Sequence, residues 1–320
     1  MEKVLIIKTG YSEFLYGDAQ TENVSLGDVF RTTVLLPRYA ARGDQVTWLT
    51  DSHAMPLLEG NPHIAEIVKL NSLRALELLG ETFDTVVNLE KNRGICLFAR
   101  EIDAWKKQGF RIDAQTGQVK AYDRAAEVLA VSHDTALKKT NKLRFQDLLF
   151  RLIGEEWKGE EYSLGYRPIS QEQYDVALNT LVGKKWPNKS WSPTRWDTLE
   201  QRLKSEGFRV TRQDRQDPLV LTDLHKYIDW VNSSRAMVSS DSLGMHLAIA
   251  LGKQVYGLFA PTPSEEVDFY GRGNAILPYP KLDCVPCLGD KCESREGNCI
   301  DKIEVDHVYK EIIDYFKTSR

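Results

Sequence analysis

The stretch SSDSLGMHLAIALG, Ser239 to Gly252, combines residue types and spacing that could do chemistry. The apolar run before its turn (Ala236, Met237, Val238) reads as a short buried strand, and KQVYGLFAPT after it reads as another. Between them Leu243, Leu247, Ala250 and Leu251 recur at helical spacing, and Gly252 stands where a helix commonly ends in a left-handed residue. The turn from strand to helix therefore holds Asp241, Ser242 and Gly244, with His246 in the first helical turn. A helix N terminus offers unpaired N–H groups and the positive end of a dipole, which together attract an anion. Small Ser242 and Gly244 let a phosphate approach the backbone. Ser242 adds a hydroxyl donor and His246 a ring N–H. The plainer alternative is that Asp241 or Ser242 only caps the helix and His246 is an ordinary buried histidine.

Two further connections carry reactive groups. In KKWPNKSWSPTRWDTLEQRL, Trp186, Lys189, Trp191 and Trp196 crowd a strand-to-helix loop, and Pro193 stands where a helix would start. Lys189 there is a point-charge partner for phosphate, or else a solvated lysine among structural tryptophans. In SLGDVFRTTVLLP, Asp28 lies at the start of a helix, either as a general base for a hydroxyl or as a favourable N-terminal charge. Thr262, in APTPSEE, fits simple turn chemistry. Glu90 and Lys91 close an apolar run at a strand C-terminal edge, where they either meet an acceptor or, as is more common, form a solvated pair.

Four of the five cysteines fall in CVPCLGDKCESREGNC: Cys284, Cys287, Cys292 and Cys299, spaced C-x2-C-x4-C-x6-C. In a reducing compartment such clustering points to metal before disulfides, and four thiolates suit tetrahedral zinc or iron. No open coordination position is implied, so the role expected is structural, pinning the 284–299 loop. Cys96 stands alone and reads as a core residue.

The elements that must position these groups alternate along the chain. KVLIIKTG, QVTWLT, IAEIVKL and FDTVVNLE read as strands of the first half, with one helix over SLGDVFRTTVLLPRYAARG. In the second half FRVTRQ, LVLTDL, AMVSS and KQVYGLFA read as strands between the helices PTRWDTLEQRLKSEG and LHKYIDWVNSS. Alternation of this kind argues for parallel, doubly wound sheets. LRFQDLLFRLIG is an amphipathic helix before a polar stretch, and the boundary is placed there: 1–165 and 166–320, the second part ending in an amphipathic helix. Ligands of such sheets bind at strand C-terminal edges, so a common cleft between two facing domains is expected to hold the chemistry.

The totals agree with a globular enzyme or binding protein. With 320 residues, 42% hydrophobic and 28% charged, the chain has enough core for two domains. A formal charge of −4 gives no general attraction to nucleic acid. The apolar run at the N terminus is too short for a signal peptide, and a cytoplasmic location is expected, with peripheral membrane contact left open. Oligomeric state is not readable.

SLGD after the first strand, Lys189-x-Trp-x-Pro opening the second domain, and DSLGMHLAIALGKQVYGLFAPT together resemble the family-9 glycosyltransferases, the ADP-heptose:lipopolysaccharide heptosyltransferases and their relatives. The resemblance implies a GT-B-type fold of two facing Rossmann-like domains, acceptor-binding first and nucleotide-sugar-binding second. It implies an inverting enzyme that needs no metal for its chemistry and moves a sugar, heptose foremost, from an ADP-sugar to a glycan or glycolipid hydroxyl. Asp28 matches the base; Lys189, Asp241, Ser242, Leu243, Gly244 and His246 match the donor diphosphate site, with Thr262 beside it. Cysteine-rich tails also occur in the family. Two departures stand out: a segment from Tyr11 to Val24 separates the first strand from SLGD and carries a second Gly-Asp pair, Gly17-Asp18, and Val34 replaces a common proline, with Pro37 expected to kink the helix. The rival classes are a nucleotide-sugar epimerase or hydrolase and a non-catalytic sugar-nucleotide-binding protein.

Overall fold

The computed structural model describes residues 1–11, 24–122, 124–183, 186–289, 291–294 and 297–318. The chain divides into two compact units, Met1–Arg167 and Pro168–Arg320.

The first unit is built on β1 (Lys3–Ile7), β2 (Gln45–Thr50), β3 (Glu66–Lys69), β4 (Thr82–Asn88), β5 (Asp103–Ile112) and β6 (Val119–Ala121). They lie in the order β3-β2-β1-β4-β5-β6, all parallel except the β5–β6 hairpin. Apolar side chains of β1, Leu5 and Ile7 among them, pack with Val68, Phe83, Val86 and Ile95. Strand order reverses at β1: β2 and β3 run to one side, and β4 pairs on the other. That is the switch point where doubly wound sheets bind ligands.

Helices α1 (Leu26–Thr32), α2 (Leu36–Ala41), α3 (Leu73–Glu77), α4 (Arg93–Glu101), α5 (Ala125–His133), α6 (Thr135–Thr140) and α7 (Phe145–Leu152) complete the unit. The single helix expected over 25–43 is split. A 3-10 turn at Thr33–Leu35 separates α1 from α2, because Pro37 has no N–H to give and its ring would collide with the Thr33 carbonyl.

The second unit has five parallel strands in the order β11-β10-β9-β7-β8: β7 (Tyr174–Asn179), β8 (Val210–Arg212), β9 (Ser234–Ser240), β10 (Gln254–Leu258) and β11 (Gly273–Ile276). Its switch point lies between β7 and β9. The helices are α8 (Pro193–Ser205), α9 (Pro218–Thr222), α10 (Leu224–Asn232), α11 (Leu243–Ala250) and α12 (Val305–Thr318). Pro193 opens α8 as expected, while Trp191 and Trp196 beside it are core residues packed edge to face at 4.9 Å.

LVLTDL, expected as a strand, is α9 followed by the start of α10. The Asp217 side chain accepts from Leu219 N, Pro218 is preset for a first helical turn, and Asp223 caps α10 through His225 N and Lys226 N. Two caps and a proline outweigh four apolar residues.

Candidate functional site

The unit-2 residues singled out in the sequence converge at the β7–β9 switch point. β9 ends at Ser240 and Ser242 is the N-cap of α11, yet its side chain makes no capping bond; Asn179 Nδ2 donates to Ser242 Oγ at 2.9 Å instead. The same amide donates to Ser239 Oγ at 2.8 Å, and its carbonyl oxygen accepts from Tyr227 Oη at 2.7 Å. The first turn of α11 is thereby pinned through β7 and α10. Gly244 is required by space, not by backbone angle, because a Cβ there would meet Asn179 and the Tyr227 hydroxyl. Gly252 closes the helix at φ 72° with Gly252 N and Lys253 N returning to Ile249 O and Ala248 O. Asn179 and Tyr227 carried no signal in the sequence.

Around this helix N terminus the charged groups meet at Asp241. Lys189 Nζ lies 2.7 Å from Asp241 Oδ2, and Thr262 Oγ1 donates to the same oxygen at 3.0 Å. His246, buried, has Nε2 3.6 Å from Asp241 Oδ1. Ser240 Oγ donates to Lys189 O at 2.7 Å, fixing the lysine loop to the end of β9. Lys189, Thr262 and His246 thus face one point occupied by an anionic carboxylate, at a helix N terminus. Leu243 is the first helical residue and is half-buried.

In the first unit Asp28 sits in the first turn of α1, half-buried. Burial would raise its pKa, but the positive charges of Lys8, Arg31, Lys91 and Lys138 outweigh this and lower it. Ser25 N donates to Gly10 O at 3.1 Å, placing the start of α1 at the end of β1. Gly17-Asp18 lies outside the described residues.

Glu90 is not half of a solvated pair. It is fully buried at the end of β4 and accepts from Thr9 N and Gly10 N, both at 2.8 Å, with Lys8 Nζ at 3.3 Å. It ties the two strands of the switch point together. Lys91 follows, its pKa pushed down to about 8, first by burial and then by Lys8, with Asp28 pulling the other way. An unfolded lysine keeps its proton until about pH 10.4, so the cost of charging Lys91 is present at pH 7 and is relieved as pH rises from about 8 to 10.5. Lys91→Met is expected to raise the melting temperature at pH 7 and to leave it unchanged near pH 10.5. Equal melting shifts at both pH values would refute this.

The four clustered cysteines are free thiols, and among the described residues no group of three or more His, Cys, Asp or Glu is arranged to hold a metal ion. Cys284 and Cys292 face solvent while Cys299 is drawn into the hydrophobic cluster beneath. The expected ligand set is therefore not assembled. The thiols are still within electrostatic reach: burial first, then Cys287, Cys284 and Cys292, push Cys299 up to about 11. Their loop bears on the site above. Leu288 N donates to Pro261 O at 2.8 Å, next to Thr262, and Asn188, next to Lys189, donates to Gly289 O. Cys96 is buried, as expected.

The fold defines the class: a glycosyltransferase with two parallel-sheet units of GT-B type. Residues 219–297 match the family model for glycosyltransferase family 9 (heptosyltransferase). Its fold is similar to that of E. coli heptosyltransferase WaaC with ADP (TM-score 0.61, 15% identity, 98% of this chain and 99% of that one). It is also similar to E. coli ADP-heptose LPS heptosyltransferase II (0.68, 13%, 100% and 99%). A third similar structure is TibC from enterotoxigenic E. coli, described as an iron-containing dodecameric glycosyltransferase (0.58, 13%, 99% and 76%). No curated protein sequence matches the chain.

Proposed function

We propose that this chain is an inverting glycosyltransferase that moves a sugar, heptose foremost, from an ADP-sugar to a hydroxyl of a glycan such as a lipopolysaccharide core. The observation that carries the reading is the convergence of Lys189, Thr262 and His246 on one anion at the N terminus of α11. A diphosphate has the charge and the acceptor oxygens such a seat requires. In the reaction, Asp28 takes the proton of the acceptor hydroxyl as that oxygen attacks the anomeric carbon. The bond from that carbon to the diphosphate oxygen breaks on the opposite face. Lys189 and the helix N terminus receive the charge that develops on the leaving diphosphate. No helix among the described residues is long and apolar enough to cross a membrane. We place the enzyme in the cytoplasm, acting on a glycan or on a glycolipid reached from the membrane surface.

The test is nucleoside diphosphate release, by mass spectrometry, from ADP-, GDP- and UDP-sugars with and without lipopolysaccharide core oligosaccharide. Acceptor-dependent ADP release is expected. Free sugar or an isomer formed without acceptor would indicate a hydrolase or epimerase, and binding without turnover a non-catalytic protein. Lys189→Met is expected to weaken ADP binding roughly ten- to hundredfold by calorimetry, the worth of one charge-assisted hydrogen bond. An unchanged affinity would remove Lys189 from the donor site.

We further propose that Cys284, Cys287, Cys292 and Cys299 take up a structural zinc or iron. Four soft thiolates suit either metal, and TibC is described as iron-containing. Closing the loop on a metal would fix Leu288 and Gly289, and with them the Pro261–Thr262 and Asn188–Lys189 segments. Elemental analysis of the purified protein is expected to find about one metal per chain. Cys287→Ser is expected to lower both metal content and ADP affinity; metal-free protein with four reactive thiols would end the proposal.

A further inference from the structure

A third set of groups stands at the same edge of the first sheet, at the end of β2. Asp51 is buried, and one of its oxygens, Oδ1, accepts from both His53 N and His53 Nδ1, each at 2.8 Å. Its other oxygen accepts from Tyr11 Oη, which is itself buried. Burial alone would raise the pKa of Asp51; the hydrogen bonds from Tyr11 and His53 outweigh it, so the carboxylate is ionised and can only accept. The ring hydrogen of His53 therefore sits on Nδ1. In the neutral ring Nε2 presents a lone pair, and the side chain is 53% exposed. A turn needs one solvated aspartate to cap it. Here an ionised carboxylate is taken out of water, given three hydrogen bonds, and used to hold one exposed imidazole in one orientation.

The placement in the sheet gives this a direction. β1 pairs with β2 and β4 in parallel register, Ile7 opposite Leu49 and Asn88, so Thr9–Gly10, Asp51 and Glu90 lie along one strand-end edge. Gly10 receives Ser25 N from the start of α1, the helix of Asp28, and the next residue, Tyr11, holds Asp51.

We propose that His53 is an acceptor-binding residue of the first unit, its Nε2 taking a hydrogen bond from a sugar hydroxyl of the acceptor while Asp51 and Tyr11 fix the ring. This rests on the transferase reading above and deepens it, since it assigns the acceptor a neutral hydroxyl beside the one that reacts. Asp51 and Tyr11 are positioning residues.

The experiment follows acceptor-dependent ADP release from ADP-heptose with de-O-acylated lipopolysaccharide core oligosaccharide. His53→Ala is expected to raise the oligosaccharide KM roughly five- to tenfold while kcat and ADP affinity stay within about twofold, as for the loss of one hydrogen bond formed equally in ground and transition states. His53→Gln, which keeps an acceptor atom, is expected to recover part of the loss. Asp51→Asn is expected to act in the same direction, with its melting temperature measured alongside. In parallel, 15N imidazole NMR of the wild type is expected to report Nδ1–H and to move the His53 Nε2 resonance when the oligosaccharide is added. An unchanged KM in His53→Ala, a fall in kcat alone, or a motionless Nε2 resonance would overturn the proposal. If wild-type turnover is absent, the resonance decides for His53 and ADP binding separately decides for the donor site.

Discussion

Gly244→Ala is expected to lower the melting temperature by roughly 3–10 °C and to weaken ADP binding by at least about tenfold. The added Cβ would stand 2.7 Å from Asn179 Nδ2 and closer still to Tyr227 Oη. Neither neighbour can yield. Tyr227 is buried and stacked on Trp230 at 5.6 Å, and Asn179 is held by Ser239, Ser242 and Tyr227. The overpacking must push α11 off the β7–β9 switch point, and the displaced part is the helix N terminus that faces Lys189 and Thr262. Tyr227→Phe removes the nearest atom, so the double variant should recover part of the stability, a non-additivity expected only of groups in contact. An Ala variant with unchanged melting and ADP affinity would mean that Asn179 and Tyr227 do not set the position of this helix.

Such a contact explains which parts of the site were legible in the sequence. The strand–turn–helix unit around Asp241 is local: apolar periodicity, two small residues and a closing glycine fall within 14 residues, and the structure keeps all of them. Lys189 and Thr262 are visible as residue types on loops, and their meeting at Asp241 follows from three parallel strands, β7, β9 and β10, ending side by side. The supports were not visible. Asn179 reaches Ser242 across 63 positions, Tyr11 reaches Asp51 across 40, and Glu90 reaches Gly10 across 80. None of these pairs leaves a period or spacing in the chain, and only the strand order brings them together. LVLTDL shows the opposite limit, where a short apolar run fits strand or helix and flanking caps decide. The strand β7 is hidden because YDVALN follows directly on a polar stretch, so its four apolar residues stand without a clear boundary in front.

Asp28→Asn is expected to lower acceptor-dependent transfer by about 10²- to 10⁴-fold, the usual worth of a general base, with ADP affinity unchanged. The second half of this expectation follows from the division of the chain: Lys189, Thr262 and His246, which meet at Asp241, belong to Pro168–Arg320, whereas Asp28 belongs to Met1–Arg167. The four positive charges that lower its pKa keep the carboxylate ionised into acid, so the wild type should hold its rate below the ordinary carboxylate range. The same charges make the carboxylate a stabilising group. Its lowered pKa contributes stability above the unfolded value near pH 3.9, and that stability is lost as pH falls through the folded pKa. Asp28→Asn should therefore also melt earlier at pH 7, and the difference should shrink in acid, which separates a folding cost from a catalytic one. Asp18→Asn is the matching control, because Gly17-Asp18 repeats the Gly-Asp pair without opening α1. A full rate in Asp28→Asn together with a lost rate in Asp18→Asn would move the base to the segment before α1. A lost rate in Asp28→Asn alone, at unchanged ADP affinity, would leave the carboxylate of α1 as the group that takes the proton.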